Sequence, residues 1–251
     1  MSRAKPKHIA HLSPRPPVAG PAAYRTNSPP GAESEDRNTE GVLLSLAKVV
    51  EQRDSHTAGH CERLAFTAVA LGVAMGLDSG NLLTLYLGGY LHDVGKVGIP
   101  DRILFKAGPL TAEEWDIMRT HPVRGEMICK PLQSFRLVLP LIRSHHERMD
   151  GTGYPDQLAG EAFPLLARVI QTVDIYDALT NPRPYKEPYT RVRALEILEE
   201  EAARGWRDAE VTALFVRLNK RVLAKVESYA RVPAEPSMQD SLQNLHAFLA
   251  Q

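Results

Sequence analysis

Apolar residues recur at helical spacing over most of this chain, and no run of residues reads convincingly as a strand. Leu64, Ala68, Leu71 and Met75 fall on one helical face, and Gly76 then ends that run. Helices are also predicted over residues 80–92, 123–129, 136–147, 166–179, 191–203 and 208–228, with further helices beginning near residues 39 and 111. The pattern predicts an all-α protein.

The helical pattern defines one predicted domain, residues 39–228, in a chain of 251 residues. Within it, residues 150–164 are rich in Gly and Pro, which predicts a structured loop. Residues 1–38 are rich in Pro, Ala, Ser and Arg, which predicts a disordered tail. Residues 229–251 are predicted to be a second tail, with a short amphipathic helix over residues 238–249.

Charge and cysteine content exclude several classes of protein. The formal net charge is zero, so no overall field attracts a nucleic-acid polymer, and an anionic substrate must be bound by local cations. The two cysteines, Cys61 and Cys129, predict neither a disulfide framework nor a thiolate metal site. No apolar stretch approaches the roughly 18 residues of a membrane span, and no secretory signal begins the chain. These features predict a cytoplasmic protein.

Histidines are concentrated in one part of the chain, because six of the nine lie between residues 56 and 146. His92 and Asp93 are adjacent at the end of an apolar helix, where neighbouring side chains point about 100° apart. They can converge on one ion, or the carboxylate can bridge two. His56 and His60 are four residues apart, which is predicted to place them on one helical face.

Four more residues extend this set of candidate ligands. His121 precedes a proline at a helix boundary, His145 and His146 end a helix, and Asp174 lies in an amphipathic run. Each alone is explained more simply as a capping or core side chain, but together they predict a metal site with more than one ion. Imidazole and carboxylate ligands without thiolates favour Fe or Mn over Mg.

Longer motifs in residues 51–186 resemble the HD-GYP family, a branch of the HD phosphohydrolase superfamily, in order and approximate spacing. The matching segments are Arg53-Asp54, His60, His92-Asp93-Val94-Gly95-Lys96-Val97-Gly98-Ile99-Pro100-Asp101, His121, His145-His146-Glu147, Asp150-Gly151-Thr152-Gly153-Tyr154-Pro155, Asp174-Ile175-Tyr176-Asp177-Ala178-Leu179-Thr180 and Arg183-Pro184-Tyr185-Lys186. The resemblance implies an HD-type helical bundle with additional C-terminal helices and a structured GYP loop.

The resemblance also implies a role for each matching residue. Asp93 is expected to bridge two ions, and Lys96 to lie near the scissile phosphate, so these two are the expected catalytic residues. For the GYP loop, Gly153-Tyr154-Pro155, the resemblance implies a structural role and the binding of protein partners. Metal ligands are implied at His60, His92, Asp93, His121, His145, His146 and Asp174. Contacts to a dinucleotide are implied for Lys96, Asp177, Arg183 and Lys186.

These roles imply a phosphodiesterase of bacterial second-messenger signalling that hydrolyses cyclic di-GMP to linear pGpG, with further cleavage to GMP left open. Two divalent ions, Fe or Mn, are the expected cofactors. The alternatives are a hydrolase of another cyclic dinucleotide or of a nucleotide, and a non-catalytic module that senses a dinucleotide or a partner. The intact ligand set favours an enzyme, because a sensor has no need of every metal ligand.

Two positions carry two interpretations each. His56 stands where the family usually has tyrosine, and it is either a ligand of a third ion or a histidine at the pocket rim. Asp177 either accepts hydrogen bonds from a guanine edge or belongs to a charge cluster at the end of a helix. Glu147, beside the histidine pair, is interpreted as a carboxylate that fixes the tautomer of an imidazole.

Overall fold

The computed structural model describes residues 41–42, 44–51, 59–181 and 187–218. In these ranges the chain forms helices and no strand, apart from an isolated β-bridge between Asp150 and Ala159. The α-helices described are α1 (residues 44–51), α2 (His60–Ala74), α3 (Ser79–Leu91), α4 (Asp101–Leu104), α5 (Ala112–Met118), α6 (His121–Cys129), α7 (Leu139–Ser144), α8 (Leu165–Thr180), α9 (Arg191–Ala203) and α10 (Ala209–Arg217). The predicted all-α class is confirmed.

Short 3₁₀ helices connect some of these elements, at Val94–Gly98, Gln133–Phe135 and Gly160–Ala162. Side-chain caps fix several helix starts. Asp78 accepts a hydrogen bond from the backbone of Asn81 at the start of α3, and Thr111 and Glu114 form a capping box at the start of α5. The sequence therefore specifies where these helices begin.

The core is built around α2, α3 and α8, which contact one another. Helix α8 also packs against α7, α9 and α10, and α6 packs against both α7 and the 3₁₀ helix Val94–Gly98. Leu64, Leu85, Ile142 and Ile170 are fully buried between these helices. Burying an aliphatic side chain of this size contributes about 1.5–3 kcal/mol each, so the core supplies a rigid frame for the ends of the helices.

Two predicted helix boundaries are wrong. The helix predicted over residues 136–147 is only α7, Leu139–Ser144, which ends before the histidine pair. The helix predicted to reach residue 228 ends at Arg217, because Leu218 has an extended ψ of 115°. The helix that carries His60 begins at that residue, and Gly59 before it has φ +73°, whereas His56 lies outside the described residues.

Several predictions fall outside the described residues. These are the two tails, both domain boundaries, and the roles given to His56, Arg183 and Lys186. Across the ranges that are described, no helix combines the length and the apolar character needed to cross a bilayer.

Candidate metal centre

The predicted metal ligands come from five helices, mostly from their ends. They are His60 at the start of α2, His92 and Asp93 after α3, His121 at the start of α6, His145 and His146 after α7, and Asp174 within α8. The core helices α2, α3 and α8 thus contribute four of these seven residues, and their mutual packing sets the positions of those side chains.

The turn after α3 holds Asp93 against α6. A Cβ on Gly95 would lie 1.9 Å from the carbonyl oxygen of His121 and 2.4 Å from the nitrogen of Gly125, so only glycine allows this approach. In the same turn, Nζ of Lys96 lies 2.7 Å from Oδ2 of Asp93. The close approach of the two backbones brings Asp93, Lys96 and His121 to one place.

The structure gathers the predicted ligands into two groups that share Asp93. The first group is Asp93, His121, His145 and His146, and the second is His60, His92 and Asp93. In each group the candidate ligand atoms lie within 4.8 Å of one another. Asp174 lies next to the second group, with Oδ1 3.5 Å from Nε2 of His60. One carboxylate common to two groups is the arrangement needed to bridge two ions.

Hydrogen bonds orient most of the imidazoles. Nδ1 of His92, His121 and His145 lies 3.0, 2.8 and 2.7 Å from the backbone carbonyl oxygens of Gly89, Met118 and Ile142, respectively. Nδ1 of His60 lies 2.7 Å from Oδ2 of Asp177. Each of these acceptors requires the proton on Nδ1, so the lone pair of Nε2 is left for another partner.

The free lone pairs of the Nε2 atoms lie close together, where a bound cation would accept them. Nε2 of His121 and Nε2 of His145 are 3.3 Å apart, and two acceptors at that distance repel each other. Among the described residues, the buried atoms Nε2 of His92 and Oδ1 of Asp93 have no hydrogen-bond partner. Buried polar atoms rarely lack partners in folded proteins. These side chains therefore fit a divalent metal ion.

Burial and charge keep two of the ligands, His145 and Asp93, in the forms that bind metal. Burial and the neighbouring imidazoles of His92 and His121 hold the pKa of His145 well below its usual range. Burial acts to raise the pKa of Asp93, but Lys96 and His92 outweigh it and hold that pKa well below its usual range. At neutral pH His145 is therefore a neutral imidazole and Asp93 a carboxylate, which are the protonation states of metal ligands.

Asp177 is engaged inside the protein rather than facing an open site. Its buried carboxylate accepts hydrogen bonds from Nδ1 of His60, from Nε and Nη2 of Arg63 at 2.7 and 3.0 Å, and from Nδ2 of Asn181. Burial raises the pKa of Asp177, but the bonds from His60 and Arg63 outweigh it and lower the pKa to about 2. These contacts favour the charge cluster near the end of α8 over a guanine contact.

Replacing Asp177 with alanine is expected to weaken divalent metal binding at the second group by about 10- to 100-fold, because His60 loses the acceptor that orients it. Isothermal titration of the metal-free protein with Mn²⁺ measures this change. Circular dichroism should show unchanged helix content, since alanine favours helices. Unaltered affinity in the alanine variant would show that Asp177 does not orient His60.

Glu147 does not fix an imidazole tautomer, so that prediction is wrong. Its buried carboxylate accepts hydrogen bonds from the backbone nitrogens of Asp156 at 2.6 Å and Leu158 at 3.1 Å. It therefore organises the loop that carries Gly153-Tyr154-Pro155. That loop lies beside the first ligand group, with the ring centroids of Tyr154 and His146 4.8 Å apart.

Two residues that support the site were missed by the sequence reasoning. Nε2 of Gln171 donates hydrogen bonds to the carbonyl oxygens of His145, at 3.4 Å, and of Glu147, and so fixes the turn after α7. Arg63 pairs with Asp177. Both occur one helical turn from a predicted ligand, Gln171 before Asp174 and Arg63 after His60. The three-residue spacing was the signal that could have identified them.

Residues 45–211 match the family described as HD domain. Among curated proteins, the chain is 41% identical over 174 residues to the cyclic di-GMP phosphodiesterase response regulator RpfG of Xanthomonas campestris pv. campestris, covering 68% of this chain and 46% of that protein. It is 32% identical over 199 residues to the 3'3'-cGAMP-specific phosphodiesterase 3 of Vibrio cholerae, covering 79% and 42% of the two chains. The chain thus spans less than half the length of these relatives.

A solved structure shares the fold. The HD domain of the Listeria monocytogenes phosphodiesterase PgpH, in complex with cyclic-di-AMP, matches with a TM-score of 0.52 and 19% sequence identity. The match covers 76% of this chain and 99% of that chain. At this identity the likeness shows the HD-type helical fold, which agrees with the fold class predicted from the motifs.

Proposed function

This chain belongs to the HD domain family, and on that basis we propose that it is a metal-dependent phosphodiesterase that hydrolyses cyclic di-GMP to linear pGpG. The observation that carries the proposal is the pair of ligand groups that share Asp93, with the cation of Lys96 beside the shared carboxylate. A module that only senses a dinucleotide has no use for two ligand groups, each assembled from buried and oriented histidines.

Each side chain of the site has a distinct part in the proposed reaction. Two divalent ions held by the two groups would neutralise the phosphodiester and activate water. Lys96 donates to a non-bridging oxygen of the scissile phosphate and balances the charge that develops there. The Nδ1 hydrogen bonds of His92, His121 and His145 keep the ligand nitrogens in place, so the site need not reorganise during the reaction.

The proposed cofactors are two ions of Fe or Mn. The described ligand atoms are imidazole nitrogens and carboxylate oxygens, with no thiolate in either group. Imidazole-rich sites suit Fe and Mn, whereas Mg prefers oxygen ligands and its own water. Asp93 would contribute a ligand to each of the two positions.

A third ion, with His56 as a ligand, remains a separate prediction. The variant His56→Tyr is expected to keep two tightly bound ions and substantial hydrolysis, because the two groups of described residues already supply ligands for two ions. Metal content at saturating Mn²⁺ measures the number of ions in both proteins. A wild type with one more equivalent than His56→Tyr makes His56 a ligand, whereas equal stoichiometry makes it a residue of the pocket rim. Loss of either tight ion in the variant would contradict the prediction.

The base specificity of the site is a further part of the proposal. The chain is similar to proteins named for cyclic di-GMP and for 3'3'-cGAMP, and the proposed dinucleotide contacts Arg183 and Lys186 lie outside the described residues. We assign cyclic di-GMP because the relative with 41% identity is named for that substrate. A hydrolase of 3'3'-cGAMP is the second candidate.

One experiment tests both candidates. The protein is purified without oxygen, loaded with Mn²⁺ or Fe²⁺, and incubated separately with cyclic di-GMP, 3'3'-cGAMP and cyclic-di-AMP, and products are separated by chromatography. Hydrolysis of cyclic di-GMP with the largest kcat/KM is the expected result. Preferred turnover of 3'3'-cGAMP would establish the second candidate, and tight binding of a dinucleotide with no turnover by either metal form would identify a sensor.

A further inference from the structure

One ligand of the first group is held differently from the others. The imidazoles of His60, His92, His121 and His145 each have a hydrogen bond at Nδ1. In the described part of the chain, no hydrogen bond reaches the ring of His146, although this ring belongs to the first ligand group. Another interaction must therefore set its orientation.

An aromatic ring lies face to face with His146. The centroids of Tyr154 and His146 are 4.8 Å apart and their planes differ by 28°, which is a stacked arrangement. The other imidazole neighbours of His146 meet it at steeper angles, with interplanar angles of 84° for His121 and 45° for His145. Among these rings, only the tyrosine is close to parallel with the imidazole.

The position of Tyr154 is itself fixed by the loop around it. Its backbone nitrogen donates to the carbonyl oxygen of His146 at 3.2 Å. A Cβ on Gly153 would lie 2.4 Å from Cα of Glu147, so the loop packs directly on the segment that follows the histidine pair. These contacts hold the backbone at Tyr154 close to the histidine pair, where the tyrosine ring lies against His146.

Two charged side chains tether the far side of this loop. The buried carboxylate of Glu147 accepts the backbone hydrogen bonds of Asp156 and Leu158. Arg143 pairs in two places with the carboxylate of Asp156, at 2.6 and 2.8 Å, and also with Glu126 of α6. These contacts connect the loop to α6 and α7, the helices that carry the ligands of the first group.

We propose that Tyr154 is a positioning residue for the metal centre, whose ring orients the His146 imidazole as backbone carbonyls orient His92, His121 and His145. A stacked aromatic pair stabilises a side chain by about as much as one hydrogen bond does, so stacking on Tyr154 can orient His146 as strongly as a hydrogen bond would. The inference rests on the proposed metal-dependent function. It assigns Tyr154 an effect on the first ligand group and none on the second.

The variants Tyr154→Leu and Tyr154→Phe test this role by metal binding rather than by turnover. Metal-free protein is titrated with Mn²⁺, and free Mn²⁺ is followed by electron paramagnetic resonance. We expect Tyr154→Leu to bind one of the two ions at least about tenfold more weakly, as loss of a ligand's supporting contact does elsewhere. Tyr154→Phe should stay within about twofold of wild type, because the stacked ring remains.

Asp177→Ala is the matched comparison, because it removes the support of His60 in the second group. Tyr154→Leu combined with Asp177→Ala should weaken both ions, whereas each single variant weakens one. Melting temperatures of all variants are measured without metal, so that a collapsed loop is distinguished from a reoriented ligand. Metal binding by Tyr154→Phe provides a second check. If phenylalanine restores wild-type binding, the loss in Tyr154→Leu is caused by the missing aromatic ring.

Three results would overturn the proposal. The first is a Tyr154→Leu protein that binds both ions as wild type does. The second is a Tyr154→Phe protein that binds metal as poorly as Tyr154→Leu, which would assign the effect to the hydroxyl group. The third is a double variant that weakens no more ions than Asp177→Ala alone. A wild type that binds two ions but hydrolyses no cyclic dinucleotide would refute the proposed function and leave these metal-binding comparisons valid.

Discussion

Replacing Asp93 with alanine is expected to abolish the proposed hydrolysis of cyclic di-GMP, leaving only the rate of the reaction without enzyme, and to remove most of the bound metal. Asp93 is the one residue common to both ligand groups, so its loss takes a ligand from each ion. It also removes the carboxylate 2.7 Å from Nζ of Lys96, so the positive charge of Lys96 beside the two positions would oppose cation binding there. Metal analysis and chromatography of pGpG measure the two effects.

The control for this variant is Asp116→Ala, which removes a carboxylate that is 77% exposed on α5 and belongs to neither group. Asp116→Ala should bind metal and turn over substrate as wild type does. Helix content of Asp93→Ala should be retained, because the core helices α2, α3 and α8 pack through aliphatic side chains. An Asp93→Ala protein with two bound ions and wild-type turnover would show that the assignment of the site is wrong.

Replacing Lys96 with alanine is expected to lower kcat by roughly 10²-fold or more, which is the usual effect of losing one preorganised electrostatic contact to the reacting group. Metal content should not fall. Removing a positive charge 2.7 Å from Asp93 cannot weaken cation binding by electrostatics. Steady-state kinetics and metal analysis of the same preparation separate these two quantities.

The exposed residue Lys130, at the end of α6, supplies the matched control. Lys130→Ala should leave both kcat and metal content unchanged. A Lys96→Ala protein that lost its metal would instead identify Lys96 as a structural residue of the turn at Val94–Gly98. Unchanged kcat with full metal content would remove Lys96 from the reaction.

The helices could be predicted because the signals that define them are local. Gly76 ends the run that includes α2, as predicted, and the capping box of Thr111 with Glu114 begins α5 at the predicted start near residue 111. The errors arose where a short-range pattern was extended too far. The spacing of His56 and His60 assumed an uninterrupted helix, but Gly59 has φ +73° and α2 begins after it.

The candidate ligands could be predicted because motif order identifies residue types at fixed positions, and the structure gathers six of the described candidates into two groups. Their supporting partners could not be predicted, because those contacts join distant parts of the chain. His60 and Asp177 are separated by 117 residues, and Gln171 by 24 residues from the carbonyl of Glu147. The prediction that Glu147 fixes an imidazole tautomer was wrong because no local sequence signal shows that residues 156–158 fold back onto its carboxylate.

The acceptors at Nδ1 also determine which mutations can alter the centre without touching a ligand. The carbonyl oxygens of Met118 and Ile142 remain whatever side chain those positions carry, so the orientation of His121 and His145 is insensitive to substitution there. His60 depends instead on the Asp177 side chain. Inherited substitution of Asp177 can therefore change the metal preference of the second group without changing any ligand. In the first group, His121 and His145 are oriented by backbone atoms, which no side-chain substitution removes.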